Sequence, residues 1–249
     1  MVFTKILMKM PVNHFKKNRI DIQKAAVSTF FLKRLTSDDL PFEIVETKNV
    51  GEDGKLKLVR IDNIPVNDVI PISFVLNMEI EDSIFSAPQH CKKVERVIVL
   101  FSCWSLYIIM VEMKSTLELY EDGSISKIEQ KIKDSLVRVL LFLNHYALDE
   151  KSFDDYIVNF HALILYNKEK ISQQIIKDET RKHNELVKVF LGDKDSFWVK
   201  SNELAAEYKV KTIFKQNAPD SEEFDLDLSL VFDGDEDFEN AIYSDKTLP

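Results

Sequence analysis

Two glutamates and a lysine carry the strongest chemical signal in this chain. They lie in the stretch Cys91-Lys-Lys-Val-Glu-Arg-Val-Ile-Val-Leu-Phe-Ser-Cys-Trp-Ser-Leu-Tyr-Ile-Ile-Met-Val-Glu-Met-Lys-Ser115. Two apolar runs, Val94–Phe101 and Leu106–Met113, flank Ser102-Cys103-Trp104-Ser105. If the runs form a hairpin with that tetrad as its loop, Phe101 pairs with Leu106 and Glu95 falls directly opposite Glu112. The β-carbons of such a pair sit roughly 4.5–5.5 Å apart, and like charges placed there repel. A divalent cation between them reverses the sign, because hard cations take carboxylate oxygens as ligands. Lys114 is two residues beyond Glu112, so the pleat sends it to the same face. Two carboxylates and an ammonium then converge at one end of a buried hairpin. The plainer alternative is that these are the charged ends of buried strands reaching water.

A strand opened by an acid, a hairpin, and acid-x-Lys closing the next strand resemble the PD-(D/E)XK nuclease superfamily. Here the motif is Glu112-Met113-Lys114, and Glu95 stands at the preceding acidic position. Glu95 departs from the Asp usual in that family by one methylene, and no proline precedes it. Acid-x-Lys recurs at Glu46-Thr-Lys48, Asp53-Gly-Lys55, Glu129-Gln-Lys131, Asp149-Glu-Lys151 and Glu207-Tyr-Lys209. Only 112–114 follows an apolar strand, faces an opposed acid and precedes a long amphipathic helix. Glu46-Thr-Lys48 is the runner-up, with Asp62 as its acid. The resemblance covers about residues 20–166 and implies an αβββαβ core. It implies that Glu95 and Glu112 hold Mg²⁺ or Mn²⁺, with the Met113 carbonyl as a further ligand, and that Lys114 positions water or steadies phosphate charge. Gln130, on the following helix, is similar in placement to a glutamine of some branches. The tyrosine expected four residues later is Asp134. Glu79, Glu81 and Asp82 are further acids ahead of the hairpin.

Periodicity supplies the elements that would position these groups. Asp21–Leu35 reads as a helix closed by Pro41. Phe42–Thr47, Leu56–Asp62 and Ile72–Ile80 read as strands, the first two joined by a turn at Gly51-Glu52-Asp53-Gly54. Ile125 to Ala147 is the best helix, with Ile125, Ile128, Ile132, Leu136, Val139, Leu140 and Leu143 on one stripe. Lys127, Gln130, Lys131, Asp134 and Arg138 form its polar stripe, readable as a solvated face or a phosphate-contacting one. Phe160–Tyr166 reads as a buried strand and Glu169–Leu191 as a helix ending at Gly192. Phe197–Val199, Val210–Phe214 and Phe224–Val231 read as short strands.

Composition narrows the class. The 249 residues are 45% hydrophobic with five Gly and seven Pro, which fits a globular chain and excludes collagen-like or linker-dominated ones. The longest uncharged run, Val97–Val111, is too short for a spanning helix, which needs roughly 20 apolar residues. Two cysteines make no disulfide framework, and no leader pattern opens the chain. The expectation is a cytoplasmic protein with no membrane partner. No Gly-rich phosphate loop and no Cys-x-x-Cys appear, and the five His show no metal-ligand spacing.

The net charge of −9 is uneven: residues 218–249 hold eleven acids and one Lys, leaving 1–217 almost neutral. The division expected is a nuclease-like α/β domain over 1–217, its mixed central sheet flanked by helices, and an acidic C-terminal strand and tail over 218–249. Residues 233–249 read as too acidic to pack, or as a phosphate mimic occupying the cleft. The expected partner is nucleic acid, DNA first, through Lys92/Lys93, Lys127/Lys131/Lys133 and Arg138. Restriction, repair or phage defence would be the setting, and cutting both strands would favour a homodimer. The rival expectation is a catalytically silent nuclease-like fold serving as an interaction or regulatory module.

Overall fold

The apolar run 97–111 forms two paired strands. The computed structural model describes residues 32–46, 56–68, 73–78, 92–101, 105–120, 124–146, 157–177, 184–201, 206–236 and 238–239, without the side chains of 141–146 and 201. Strand β5 (Arg96–Phe101) and strand β6 (Ser105–Leu117) are antiparallel, with Phe101 opposite Leu106 as the spacing predicts. Both are buried on two faces, which explains their unbroken apolar reading.

Around this hairpin the chain builds a seven-stranded mixed sheet, in the order β1-β4-β5-β6-β7-β9-β8. Its other members are β1 (Leu32–Arg34), β4 (Ser73–Asn77), β7 (Ile157–Glu169), β8 (Ser196–Ser201) and β9 (Ala206–Gln216). β4, β5 and β6 form an antiparallel meander; β7 runs parallel to β6, and β9 parallel to β7. Helix α1 (Ile125–Tyr146) makes the crossover from β6 to β7. Its Ile125, Ile128, Ile132, Leu136, Val139 and Leu140 are buried against the sheet, as the stripe predicts. Helices α2 (Ile171–Lys177) and α3 (Glu185–Phe190) contribute Ile171, Ile175, Leu186, Val187 and Val189 to the same apolar cluster.

The opposite face is covered differently. A three-stranded sheet, in the order β10-β3-β2, is made from β2 (Phe42–Val45), β3 (Leu58–Asp62) and β10 (Glu223–Asp227). Its Ile44, Val59, Ile61 and Leu226 share a second buried cluster with Ile98, Leu100, Tyr107, Ile109, Val111 and Met113. The expectation of helices on both flanks is therefore corrected: among the described residues, helices pack on one face and a second sheet on the other. The α/β class, with a large mixed sheet and few helices, stands.

Three local expectations are also corrected. Leu32–Arg34 is a strand antiparallel to β4, not the end of a helix; the rest of that expected helix lies outside the described residues. The helix expected over Glu169–Leu191 does not begin at Glu169, which ends β7, and appears as α2 and α3 on either side of undescribed residues 178–183. α3 does end where expected, with Gly192 at φ +82° and the Gly192 and Asp193 N–H groups bonded back to Val189 and Lys188. The strand expected over Phe224–Val231 stops at Asp227, whose side chain accepts from the Ser229 N–H at 2.9 Å and starts a helical turn over Leu228–Val231.

The acidic C-terminal segment does pack as far as it is described. β10 runs parallel to β3, and Asn167, fully buried at the end of β7, donates to the Ser221 carbonyl at 2.6 Å. Phe232 and Phe238 are buried and stacked at 4.0 Å between ring centres. Negative charge did not prevent this: Asp233 and Glu236 are exposed and Asp235 is paired with Lys211, while the two rings point in.

Candidate functional site

The end of the ladder brings the two glutamates near each other. Arg96 is the last residue of β5 in register, opposite Val111, and Glu95 just before it donates its N–H to the Val111 carbonyl at 3.1 Å. Glu95 therefore sits beside Glu112 at the ladder's end and not in the direct pairing the spacing predicts. Alternation along β6 sends Ile108, Met110, Glu112 and Lys114 toward α1, whereas Met113 joins the cluster on the other face. The Lys114 Nζ reaches Glu112 Oε1 at 2.6 Å. Glu95 Oε2 accepts the Met113 N–H at 3.0 Å, which fixes the longer glutamate side chain against the backbone of the neighbouring strand.

Helix α1 closes the corner. The Ser135 hydroxyl accepts the Val94 N–H and the Asp134 carboxylate accepts the Lys92 N–H, each at 3.0 Å, tying the helix to the lead-in of β5. One turn earlier, Lys131 Nζ lies 2.6 Å from Glu112 Oε1 and 3.3 Å from Glu95 Oε1. Two ammonium groups, from a strand and from a helix, thus meet two carboxyl groups from paired strands. The carboxyl groups are buried, with Glu112 wholly so, while the lysine side chains keep about a fifth of their surface in water: 18% for Lys114 and 22% for Lys131.

Burial and the neighbouring Glu112 charge push Glu95 up to about 8. Burial alone would lower the Lys131 pKa, but the Glu95 and Glu112 carboxylates outweigh it and hold Lys131 above the ordinary lysine value. The oxygens are unevenly used. Glu112 Oε1 serves both lysines, while Glu112 Oε2 is buried with no hydrogen-bond partner.

Deprotonated, Glu95 and Glu112 are the two side chains here that could hold Mg²⁺ or Mn²⁺, since Mg²⁺ binds through one or two carboxylates and keeps several waters. Among the described residues no group of three or more His, Cys, Asp or Glu side chains forms a fuller cage. Met113 is paired with Leu165 of β7 and reaches the corner through its main chain alone. Glu79, Glu81 and Asp82 lie outside the described residues.

Gln130 does not reach this corner: it is exposed, and its Nε2 donates to Asp134 Oδ1 at 2.6 Å. The polar stripe of α1 is not one solvated face. Lys131 turns to the carboxylates and Arg138 is buried, which removes Arg138 from the expected phosphate footprint. The runner-up Glu46/Asp62 pairing fails on register. The Glu46 N–H bonds to the Lys57 carbonyl at one end of β3, whereas Asp62 ends the other, and Lys48 lies outside the described residues.

The described part of the acidic segment does not fill the corner either; residues 237 and 240–249 lie outside the described residues. Phe232 and Phe238 pack with Tyr107 and His161 on the opposite face of the sheet, and Asp235 is paired with Lys211 at 2.7 Å.

Sequence reasoning missed Lys131 as a member of the corner. Its signal was present: Lys131 and Ile132 stand at the edge of the apolar stripe, where a long side chain can reach inward. Reasoning from sequence also missed the cluster around His161, a buried imidazole stacked on Tyr107 at 5.9 Å with no hydrogen-bond partner for Nδ1. Burial lowers its pKa to about 4.

No family model, no curated protein and no solved structure matches the chain. No helix of the described residues is long and apolar enough to cross a membrane.

Proposed function

We propose that Glu95, Glu112 and Lys114 form the site of a metal-dependent nuclease of PD-(D/E)XK type, hydrolysing phosphodiester bonds in nucleic acid, DNA first. The observation that carries this reading is the meeting of Glu95, Glu112 and Lys114 on one face of the central hairpin, near the carboxyl end of β6. Carboxyl ends of parallel strands are where open α/β sheets commonly receive ligands. The meander β4-β5-β6, the crossover α1 and the parallel strand β7 are in keeping with a βββαβ succession of that superfamily.

Glu95 and Glu112 would hold Mg²⁺ or Mn²⁺. The ion would supply positive charge to the scissile phosphate and acidify a water at neutral pH. Glu95 is steadied for this by the Met113 N–H, and Glu112 by its place in the middle strand. Lys114, with its head partly in water, would meet the phosphate oxygen on which negative charge grows. Lys92, exposed at the entry to β5, and Lys127, one turn from Lys131, would draw the phosphate backbone toward the corner.

A second reading is favoured by a specific observation. Lys131 and Lys114 together already balance the glutamate pair, so the same corner is self-sufficient as a structural ion cluster in a catalytically silent module.

The readings separate on manganese binding and cleavage by the full chain. The nuclease reading expects Mn²⁺ binding that vanishes in Glu112→Ala, and plasmid nicking that falls roughly 10²–10³-fold in Lys114→Ala with the cation still bound. Cleavage retained in Lys114→Ala overturns the role given to that lysine. Neither binding nor cleavage by the native chain leaves the silent module.

A further inference from the structure

We infer that Lys131 is a displaceable counter-ion. It holds the Glu95–Glu112 pair until a divalent cation arrives, then swings out and presents its ammonium to a phosphate of the incoming nucleic acid. The inference rests on the metal-dependent reading above and adds to it a regulation of the same site.

The geometry sets Lys131 apart from Lys114. Lys114 springs from β6 itself, two residues beyond Glu112, and stays beside that carboxylate wherever its head turns. Lys131 comes from α1 and spans both carboxyl groups, at 2.6 Å and 3.3 Å, which is the position a bridging cation needs. Both ammonium groups crowd Glu112 Oε1 while its twin Oε2 has no partner. A single-charge donor on a long stem leaves that oxygen unsatisfied; a small ion seated between the carboxylates would reach it.

Charge makes the two occupants exclusive. Two lysines together with a divalent ion would exceed the charge of two carboxylates and repel one another at short range. The head that can leave is the one borne by a different element from Glu112, since Lys114 is held beside that carboxylate by β6 itself. α1 is tied to β5 through Ser135 and Asp134, not through Lys131, so the helix keeps its place when the side chain moves. The four-carbon stem is flexible, and 22% of the side chain already lies in water. Turned outward, Lys131 joins Lys127 on the same stripe, at the border a phosphate backbone would cross. Because the cation and the docked lysine exclude each other, cation and phosphate favour each other's binding by linkage.

The test uses the full chain, Mn²⁺ titration calorimetry, and reductive methylation of lysines read by mass spectrometry. Lys131→Gln and Lys131→Met, which keep most of the stem, are each expected to bind Mn²⁺ roughly tenfold tighter than the native chain. In the native chain Mg²⁺ should raise Lys131 methylation several-fold while leaving Lys200, exposed and remote on β8, unchanged. This second measurement needs no variant to fold. Native binding with no tighter binding in the variants and no change in methylation overturns the inference and leaves the metal reading standing. Absence of binding in native and variant chains alike overturns the metal reading, and the inference with it. Binding confined to the Lys131 variants means that the cation does not displace Lys131, which overturns the inference and assigns the native chain to its silent reading.

Discussion

The central sheet buries titratable groups on both of its faces and treats them in opposite ways. On the helix face, Glu95 and Glu112 are met under cover by ammonium groups from β6 and α1. On the other face, His161 is enclosed by Tyr107 and Phe232, its Nδ1 unpartnered, and burial keeps it neutral. The Lys211–Asp235 pair near it is self-contained, and the two charges shift His161 in opposite directions. A buried ionisable group either gains ionic and hydrogen-bonding partners or gives up its charge. By that criterion the helix face is the one organised for ions, and the aromatic face is organised for packing.

Three measurements break or sharpen this contrast. The largest effect is expected from Phe238→Ala, which removes a fully buried ring stacked on Phe232 and edge-on to Tyr107. Urea denaturation should show a loss of about 3–5 kcal/mol, with Mn²⁺ affinity unchanged. A changed affinity would mean the two faces are coupled.

The second concerns pH. Glu95 keeps its proton up to about 8 when folded, against 4.5 for the ordinary carboxyl. Its contribution to stability is therefore fully present below 4.5 and is lost as the pH rises toward 8. His161 stays neutral down to about 4 when folded, against 6.5 ordinarily. Its contribution is full above 6.5 and is lost as the pH falls toward 4. Between 4.5 and 6.5 the two slopes oppose. Glu95→Gln should flatten the profile between 4.5 and 8, and His161→Gln that between 6.5 and 4, the latter by up to about 3 kcal/mol. Denaturation midpoints at several pH values read both; parallel profiles in the two variants would defeat the assignment.

The smallest effect is expected from Gln130→Ala. An exposed amide bonded to Asp134 should contribute less than about 0.5 kcal/mol, and Mn²⁺ affinity should not move. A marked loss of affinity would return Gln130 to the corner from which its contacts exclude it.

The hairpin was legible because two apolar runs joined by the tetrad 102–105 set one register, and Phe101 against Leu106 is that register. Helix α1 was legible from its Ile and Leu spacing. The role of Lys131 was not, since periodicity sets which residues share a stripe but not how far the helix rolls toward the sheet. The small second sheet left no local trace either: the Lys57–Glu222 pair beside it joins residues 165 apart in sequence. In the C-terminal segment the acid count masked Phe232 and Phe238, though two rings weigh more in packing than many solvated carboxylates. β1, three residues long, is too short to show any period.

The parallel pairing of β10 with β3 ties assembly to the order of synthesis. The seven-stranded sheet and its helices draw on residues up to Gln216, whereas the small sheet lacks an edge until residues 223–227 have left the ribosome. Until then, Tyr107, His161 and their apolar neighbours wait uncovered on the nascent chain, where a holding chaperone would find them.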